Sequence, residues 1–168
     1  MITPEFVQMM ARYNAWQNRS LIEAAEAVGD EARSLPRGAF FGSIAATFNH
    51  LYWADSVWMS RFAGWEKPPG GIRDSVNLFP DWAGFVKARA ALDTALLAWS
   101  ETVDPAWLAG TMTWFSGSSG REVSRAHGLL VAHFFNHQTH HRGQIHAMLT
   151  AAGARPDDTD LFHLPDRA

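Results

Sequence analysis

The chain has 168 residues, of which 47% are hydrophobic, and no cysteine. This length fits one domain spanning residues 1–168, and the missing cysteines exclude disulfides and thiol ligands. The formal charge of −3 comes without any block of like charge, so we expect no nucleic-acid surface. No apolar run approaches the ~20 residues of a membrane helix, and the N-terminus does not resemble a signal peptide. We therefore expect a cytoplasmic protein that does not enter a membrane.

Two amphipathic helices are predicted in the first third of the chain. Thr3 followed by Pro4 is a favourable helix start, and apolar residues then recur at helical spacing until Gly29. After a loop rich in small residues, Ser43 is the next candidate cap. The second helix extends from there to just before Gly64 and contains His50.

Prolines and glycines predict a loop over residues 64–80. Asp81 opens a third helix, for which Pro105 is the expected stop. Residues 110–120 fit either a short hairpin or an irregular loop, and the pattern does not decide between them. A fourth helix is predicted from Arg121 or Glu122 to about Ala152, followed by a non-helical tail. The tail's apolar residues are expected to pack back on the body: Leu161, Phe162 and Leu164.

Four long helices with little strand signal predict an all-α fold, a four-helix bundle with long inter-helix loops in a single domain.

Histidine is concentrated in the fourth helix, where five of the eight histidines lie between His133 and His146. His137 and His141 are four residues apart, which places them on one helix face with Cβ atoms ~5–6 Å apart. Two imidazoles so placed can bind one ion through metal–nitrogen bonds of ~2.0–2.1 Å. The same spacing also occurs by chance, and a buried histidine is often simply hydrogen-bonded. A third ligand is needed from another part of the chain.

His50 is the natural third ligand, because metal sites in helical bundles use inward side chains of facing helices. His127 lies about three turns from His137 and is too distant to share its ion. His163 in the tail remains an alternative at this point.

Two segments resemble the signature regions of the DinB-like family, a group of four-helix bundles related in fold to YfiT-like metal-dependent hydrolases and transferases. They are NHLYWADSVWMSRFAG (Asn49 to Gly64) and HFFNHQTHHRGQIHAML (His133 to Leu149). The likeness extends from the YNAW of the first helix to the DLFHLP of the tail. In that family one histidine of helix two and an H-x-x-x-H pair of helix four hold a metal ion. The resemblance therefore implies His50, His137 and His141 as ligands.

Three imidazoles leave coordination positions open, as in catalytic rather than structural metal sites. We expect one divalent ion, zinc or nickel first and manganese or iron as alternatives. The resemblance implies an enzyme that activates a thiol or water, a thiol S-transferase or a hydrolase. Its partners would be a low-molecular-weight thiol and a small electrophile. The competing hypothesis is a non-catalytic metal-binding protein with a stress-response or scaffold role.

Several polar residues near the cluster have open roles. His140 is turned ~100° from His141 and should not reach the same ion. His133 is either a core residue or part of a pocket wall, with the core favoured, and His146 is expected on an outer face. Asp55 could support a ligand or pair with an arginine. Arg142 and Gln144 could orient a ligand, although a salt bridge and a solvated face are the simpler interpretations.

We also expect a homodimer, because the aromatic residues exceed what four helices must bury and C₂ pairs are common. Val7 and Ala11, off the main stripe of the first helix, could meet the partner. The alternative is that the excess apolar residues lie under the long loops and the tail.

Overall fold

The computed structural model describes residues 2–117 and 119–165. In these ranges the chain is mostly helical, with one two-stranded antiparallel sheet. The helices are α1 (Pro4–Ser34), α2 (Ile44–Phe62), α3 (Trp82–Ser100), α4 (Pro105–Ala109) and α5 (His127–Ala151); the strands are β1 (Thr111–Ser116) and β2 (Arg121–Ala126). Two short 3₁₀ helices span Ser75–Asn77 and Leu161–His163. The all-α prediction is right for most of the chain, and the hairpin is the exception.

The predicted caps of the first three long helices are confirmed. The side-chain oxygens of Thr3, Ser43 and Asp81 each accept a hydrogen bond from the backbone N–H three residues later. Each cap satisfies one N–H that has no partner within the helix. Gly29, the predicted end of the first helix, has φ +80° and interrupts α1, and a short helical segment continues to Ser34. The break is possible because glycine has no Cβ to disfavour a positive φ.

The predicted start of the fourth helix is wrong. Residues from Arg121 to Ala126 form β2, which pairs with β1 in a hairpin, so α5 begins only at His127. The hairpin was one of the two alternatives for residues 110–120. The predicted stop of the third helix is also wrong, because α3 ends at Ser100 and Pro105 instead begins α4. Proline fits the first helical position, where its missing N–H is not needed.

The long helices bury two apolar clusters, and α1 packs against α2, α3 and α5, while α2 also packs against α5. One cluster includes Val7, Phe62 and Trp99, and the other includes Phe48 and Phe85. Val7 and Ala11 are themselves buried, with 0% and 3% of their surface exposed. The expectation that these two residues meet a partner chain is therefore wrong.

A buried polar layer separates the two apolar clusters, and each of the four long helices contributes to it. Arg89 of α3 lies 2.6 Å from both Asp55 of α2 and Asp93. Asn18 of α1 donates to Asp93, and Arg142 of α5 donates to Asn14 of α1. Two arginines and two aspartates make the layer formally neutral, which reduces the large cost of burying charge. The sequence analysis did not predict this layer.

Polar contacts hold the C-terminal tail on α1, and at its start Ala154 packs against one of the apolar clusters. Tyr13 donates to the carbonyl of Thr159 at 2.6 Å, and Gln17 donates to that of Asp158 at 2.9 Å. By contrast, Leu161 and Phe162 are 40% and 81% exposed. The expectation that these two residues pack on the body is wrong.

No helix in the described ranges has the length and apolar character needed to cross a membrane.

Candidate metal centre

His50 is fixed by a hydrogen bond from the loop that follows α2. It lies in the middle of α2 and is 4% exposed, and its Nδ1 lies 2.9 Å from Oγ of Ser75. The Ser75 hydroxyl donates its single proton to the carbonyl of Ile72 at 2.7 Å. It can therefore only accept from His50, so Nδ1 carries the proton and Nε2 keeps a lone pair. That tautomer is the one a metal ligand needs.

His141 is set in the same tautomer by a residue of its own helix. Its Nδ1 lies 2.8 Å from the amide oxygen of Gln144, which can only accept a hydrogen bond. The two residues are three apart on α5, so their side chains are neighbours on the helix surface. The lone pair of His141 Nε2 consequently faces away from Gln144.

The three imidazoles converge on one point. The Nε2 atoms of His137 and His141 are 3.1 Å apart, and one nitrogen from each of His50, His137 and His141 lies within 4.8 Å of the other two. Two neighbouring ligands ~2.0–2.1 Å from one ion are separated by ~2.8–3.0 Å in octahedral and ~3.3–3.4 Å in tetrahedral geometry. The donor set, three imidazoles with two lone pairs already oriented, could thus hold a divalent metal ion.

The environment keeps these imidazoles neutral. Burial, with a contribution from nearby His141, lowers the pKa of His50 to about 4. Burial and the neighbouring histidines lower the pKa of His137 to about 3. Burial also lowers the pKa of His141, partly opposed by the hydrogen bond to Gln144. A metal binds the neutral imidazole, so no proton has to be displaced at neutral pH.

Aromatic rings cover part of the site. Phe41 stacks on His50 with ring centroids 3.7 Å apart, and its ring lies 5.4 Å from that of His141. Trp53 lies on another side of His50 at 6.1 Å and donates its indole N–H to the carbonyl of Pro69. These rings limit the access of water to the imidazoles from their side.

A cleft of about 730 Å³ opens beside the histidines, and both His50 and His137 line it. Its walls come from α2, α5, the hairpin and the loop after α2. A small molecule could therefore reach the point on which the imidazoles converge.

The model of the DinB family matches residues 1–168. The chain belongs to the DinB family. Comparisons with curated proteins and with solved structures gave no significant match. The family match agrees with the resemblance that the two histidine-containing segments indicated, and it covers all four long helices of this DinB-family chain.

The remaining histidines lie outside the triad. His133 is exposed and lines the cleft, where its ring is 5.1 Å from that of Trp58, so the core interpretation is wrong and the pocket-wall alternative holds. His140 is exposed on the outer side of α5, and His163 is exposed in the tail. His127 contacts the carbonyl of Trp107 at 2.7 Å and stacks on its ring.

The polar candidates have mainly structural partners. Asp55 pairs with Arg89 in the buried layer, which was the second of its two alternatives. Arg142 is buried, donates to Asn14 and lies over the Tyr13 ring, and no described carboxylate forms a salt bridge with it. Gln144 contacts Nδ1 of His141, which agrees with the first of its two alternatives, orienting a ligand.

Sequence reasoning missed Ser75 and Phe41, because both lie in segments treated as plain loops. The loop before Ser75 is a tight turn, in which Asp74 accepts from the N–H of Gly71 and Gly70 has φ +71°. A Cβ at Gly70 would lie 2.7 Å from that of Asp74, so the turn requires glycine. The Gly-Gly pair predicted a turn, but nothing in the sequence indicated which helix the turn would contact.

Proposed function

We propose that this DinB-family chain binds one divalent metal ion through His50, His137 and His141 and acts as a metal-dependent enzyme on a thiol or water. In this proposal the four long helices serve as a single four-helix bundle domain that holds the ligands. Zinc or nickel is the preferred ion, with manganese or iron as alternatives. The reaction would be of the thiol S-transferase or hydrolase type.

The observation that carries the proposal is the paired Nδ1–H anchoring of His50 and His141. Ser75, 25 residues from His50, accepts from its Nδ1, and Gln144, three residues from His141, accepts from its Nδ1. Both Nε2 lone pairs are therefore free to face the same point. Hydrogen bonds of this kind from an outer residue to a ligating imidazole are typical of metal sites. Without a metal, Nε2 of His137 would donate to Nε2 of His141 at 3.1 Å, whereas an ion would accept the lone pairs of both.

A bound ion of this type lowers the pKa of water or of a thiol and leaves positions open for them. The protein's own residues supply the rest. His50, His137 and His141 hold the ion as neutral ligands, and Phe41 shields one side. The cleft admits a second reactant from the side of His137. We expect a low-molecular-weight thiol and a small electrophile as reactants, and a homodimer in the cytoplasm.

The second candidate, a non-catalytic metal-binding protein, is favoured by one observation. Asp55, the carboxylate that could have assisted the site, is buried and paired with Arg89. Among the residues that the structure describes, the group of potential metal ligands consists of His50, His137 and His141 and contains no carboxylate. Catalysis would therefore rely on the ion and on positioning rather than on a protein base.

Elemental analysis of the purified protein tests the metal, and a thiol-transfer assay then separates the two functions. We expect about one zinc or nickel per chain. Several thiols would be offered with a common electrophile such as 1-chloro-2,4-dinitrobenzene, using the His137→Ala protein as the matched control. Metal-dependent turnover that the control lacks supports the enzyme, whereas stoichiometric metal without turnover for any thiol supports the non-catalytic protein.

A further inference from the structure

The cleft beside the histidines contains one permanently charged side chain that the proposed metal chemistry does not use. Arg61 is half-buried in the last turn of α2 and lines the cleft. Its guanidinium lies 4.7 Å from the ring centroid of Trp58 and 5.6 Å from that of Trp114. Among the residues that the structure describes, no carboxylate forms an ion pair with it. The other buried arginines of α3 and α5 have hydrogen-bonding partners.

The half-buried Arg61 has no anionic partner among the described residues, so its guanidinium is available to a ligand in the cleft. Burial lowers the pKa of Arg61, and no acidic residue offsets this effect. Among the residues that the structure describes, the guanidinium contacts these rings and donates no hydrogen bond to a protein acceptor. Such a planar group, lying over two indoles at the wall of a cleft, presents its donors to an incoming anion.

The register of α2 places Arg61 in line with the metal site. His50, Ala54, Val57 and Arg61 recur at spacings of four, three and four residues, so they lie on one helix face, and all of them line the cleft. Eleven residues of helix separate the two end members by ~16 Å. The guanidinium of Arg61 lies over the ring of Trp58. Between the two ends the wall is apolar.

The charge around the cleft is opposite to that of the whole chain. The formal charge of the protein is −3, yet the cleft is lined by Arg61, Lys67 and Arg73 against the single carboxylate of Asp74. That carboxylate already accepts from the N–H of Gly71. A local excess of positive charge in a negative protein attracts small anions to the cleft.

We propose that the cleft binds an organic monocarboxylate with an aromatic or flat apolar body, whose carboxylate is held by Arg61 and whose other end approaches the histidine triad. The body would lie along Ala54 and Val57, beside the indole of Trp58. A carboxylate fits better than a phosphate dianion, because Arg61 is at the carbonyl end of α2, where the helix dipole disfavours a second negative charge. The monocarboxylate would thus be the substrate class of the proposed function. The inference rests on that function only for the end of the molecule that approaches the triad.

Calorimetric titration with 4-phenylbutyrate and its neutral analogue 4-phenylbutyramide tests the anion site, on both zinc-loaded and chelator-treated protein. One charge-assisted hydrogen-bonding pair should make the acid bind ~10–100-fold more tightly than the amide. We expect this preference in both forms of the protein. It should vanish in Arg61→Gln and be partly kept in Arg61→Lys. Arg19→Gln, at an exposed position of α1 outside the cleft, is the matched control and should keep it.

Equal binding of acid and amide, or an unchanged preference in Arg61→Gln, would overturn the anion site. A preference that appears only with zinc and survives in Arg61→Gln would place the carboxylate on the metal and would also overturn it. If the protein holds no zinc but the chelator-treated form shows the Arg61-dependent preference, the anion site stands and the metal proposal fails. If the protein binds zinc but does not prefer the acid over the amide, the metal proposal stands and the anion site fails. Melting curves of the variants check that each one is folded.

Discussion

Nδ1 of His50 lies 2.9 Å from Oγ of Ser75, a residue 25 positions away in the loop between α2 and α3. The contact connects a buried helical histidine to a 3₁₀ turn whose own geometry depends on Gly70. Because the serine proton is directed to Ile72, the contact fixes which nitrogen of His50 can bind a metal. The loop thus determines the tautomer of the proposed ligand His50, although it contributes no ligand itself.

Replacing Ser75 with Ala should weaken metal binding without unfolding the protein. The change removes the acceptor that orients His50, and losses of such outer partners cost about 10–100-fold in metal affinity. Competition with a chromogenic chelator measures the change in the dissociation constant. Ser60→Ala is the matched control, since that hydroxyl only donates to the carbonyl of Val57 within α2. An unchanged affinity in Ser75→Ala would show that the hydrogen bond does not orient the ligand.

Removing any one imidazole of the triad should sharply reduce the metal content. The proposal needs all three nitrogens, so His50→Ala, His137→Ala and His141→Ala should each lose most of the ion after dialysis. His140→Ala should retain it, because that side chain is exposed although it is adjacent to His141 in the sequence. Mass spectrometry of the metal in each variant gives the result. A His50→Ala protein with full metal content would contradict the ligand assignment.

The sequence predicted the parts of the fold and site that depend on local pattern. Capping residues marked the starts of three helices, and the four-residue spacing of His137 and His141 marked a shared face. The start of α5 was missed, because residues 121–126 carry no strand alternation strong enough to outweigh a helical pattern that continues beyond them. Strand formation there depends on pairing with β1, which is a tertiary effect.

The buried polar layer could not be predicted for a related reason. Asp55, Arg89 and Asp93 look like ordinary exposed charges on amphipathic helices, and their burial depends on how α1, α2 and α3 pack. The spacing of Arg89 and Asp93 permits a pair on one helix but does not show that both are buried. Gln144 was different, since orienting a ligand was one of its two alternatives in the sequence analysis, and it lies three residues from His141 on the same helix.

Acid should destabilise the metal-free protein through His50 and His137. Their pKa values in the folded protein are about 4 and about 3, whereas an unfolded histidine titrates near ~6.5. Between these values the unfolded chain binds more protons, so the free energy of unfolding falls as the pH falls from ~6.5 toward 3. Above pH ~6.5 this contribution to stability is complete.

Urea unfolding of chelator-treated protein at pH 7 and pH 5 measures this dependence. The His50→Gln/His137→Gln double variant cannot take up these protons, so its midpoint should fall less than that of the unchanged protein. His140→Gln, which alters an exposed imidazole of the same helix, should behave like the unchanged protein. Identical pH dependence in all three proteins would mean that burial of the triad does not affect the acid response.

The ion pairs of Arg89 should make a large contribution to stability that surface pairs do not. Arg89 is 1% exposed and lies 2.6 Å from Asp55 and from Asp93. Burial acts to lower its pKa, and the two carboxylates outweigh that effect, so the pKa of Arg89 is raised. Asp55→Ala leaves this charge with one fewer partner and should lower the free energy of unfolding by about 3–5 kcal/mol.

The matched control is Asp30→Ala, which removes an ion pair to Arg33 in which the aspartate is 88% exposed. Solvent screening limits such pairs to about 0–1 kcal/mol, so the control should unfold at nearly the same urea concentration as the unchanged protein. Asp55→Asn adds a second comparison, because it keeps the volume and a hydrogen-bond acceptor but removes the charge. The free energy of unfolding of Asp55→Asn should lie between those of Asp55→Ala and Asp30→Ala. Equal losses for Asp55→Ala and Asp30→Ala would show that water reaches the layer and solvates Arg89.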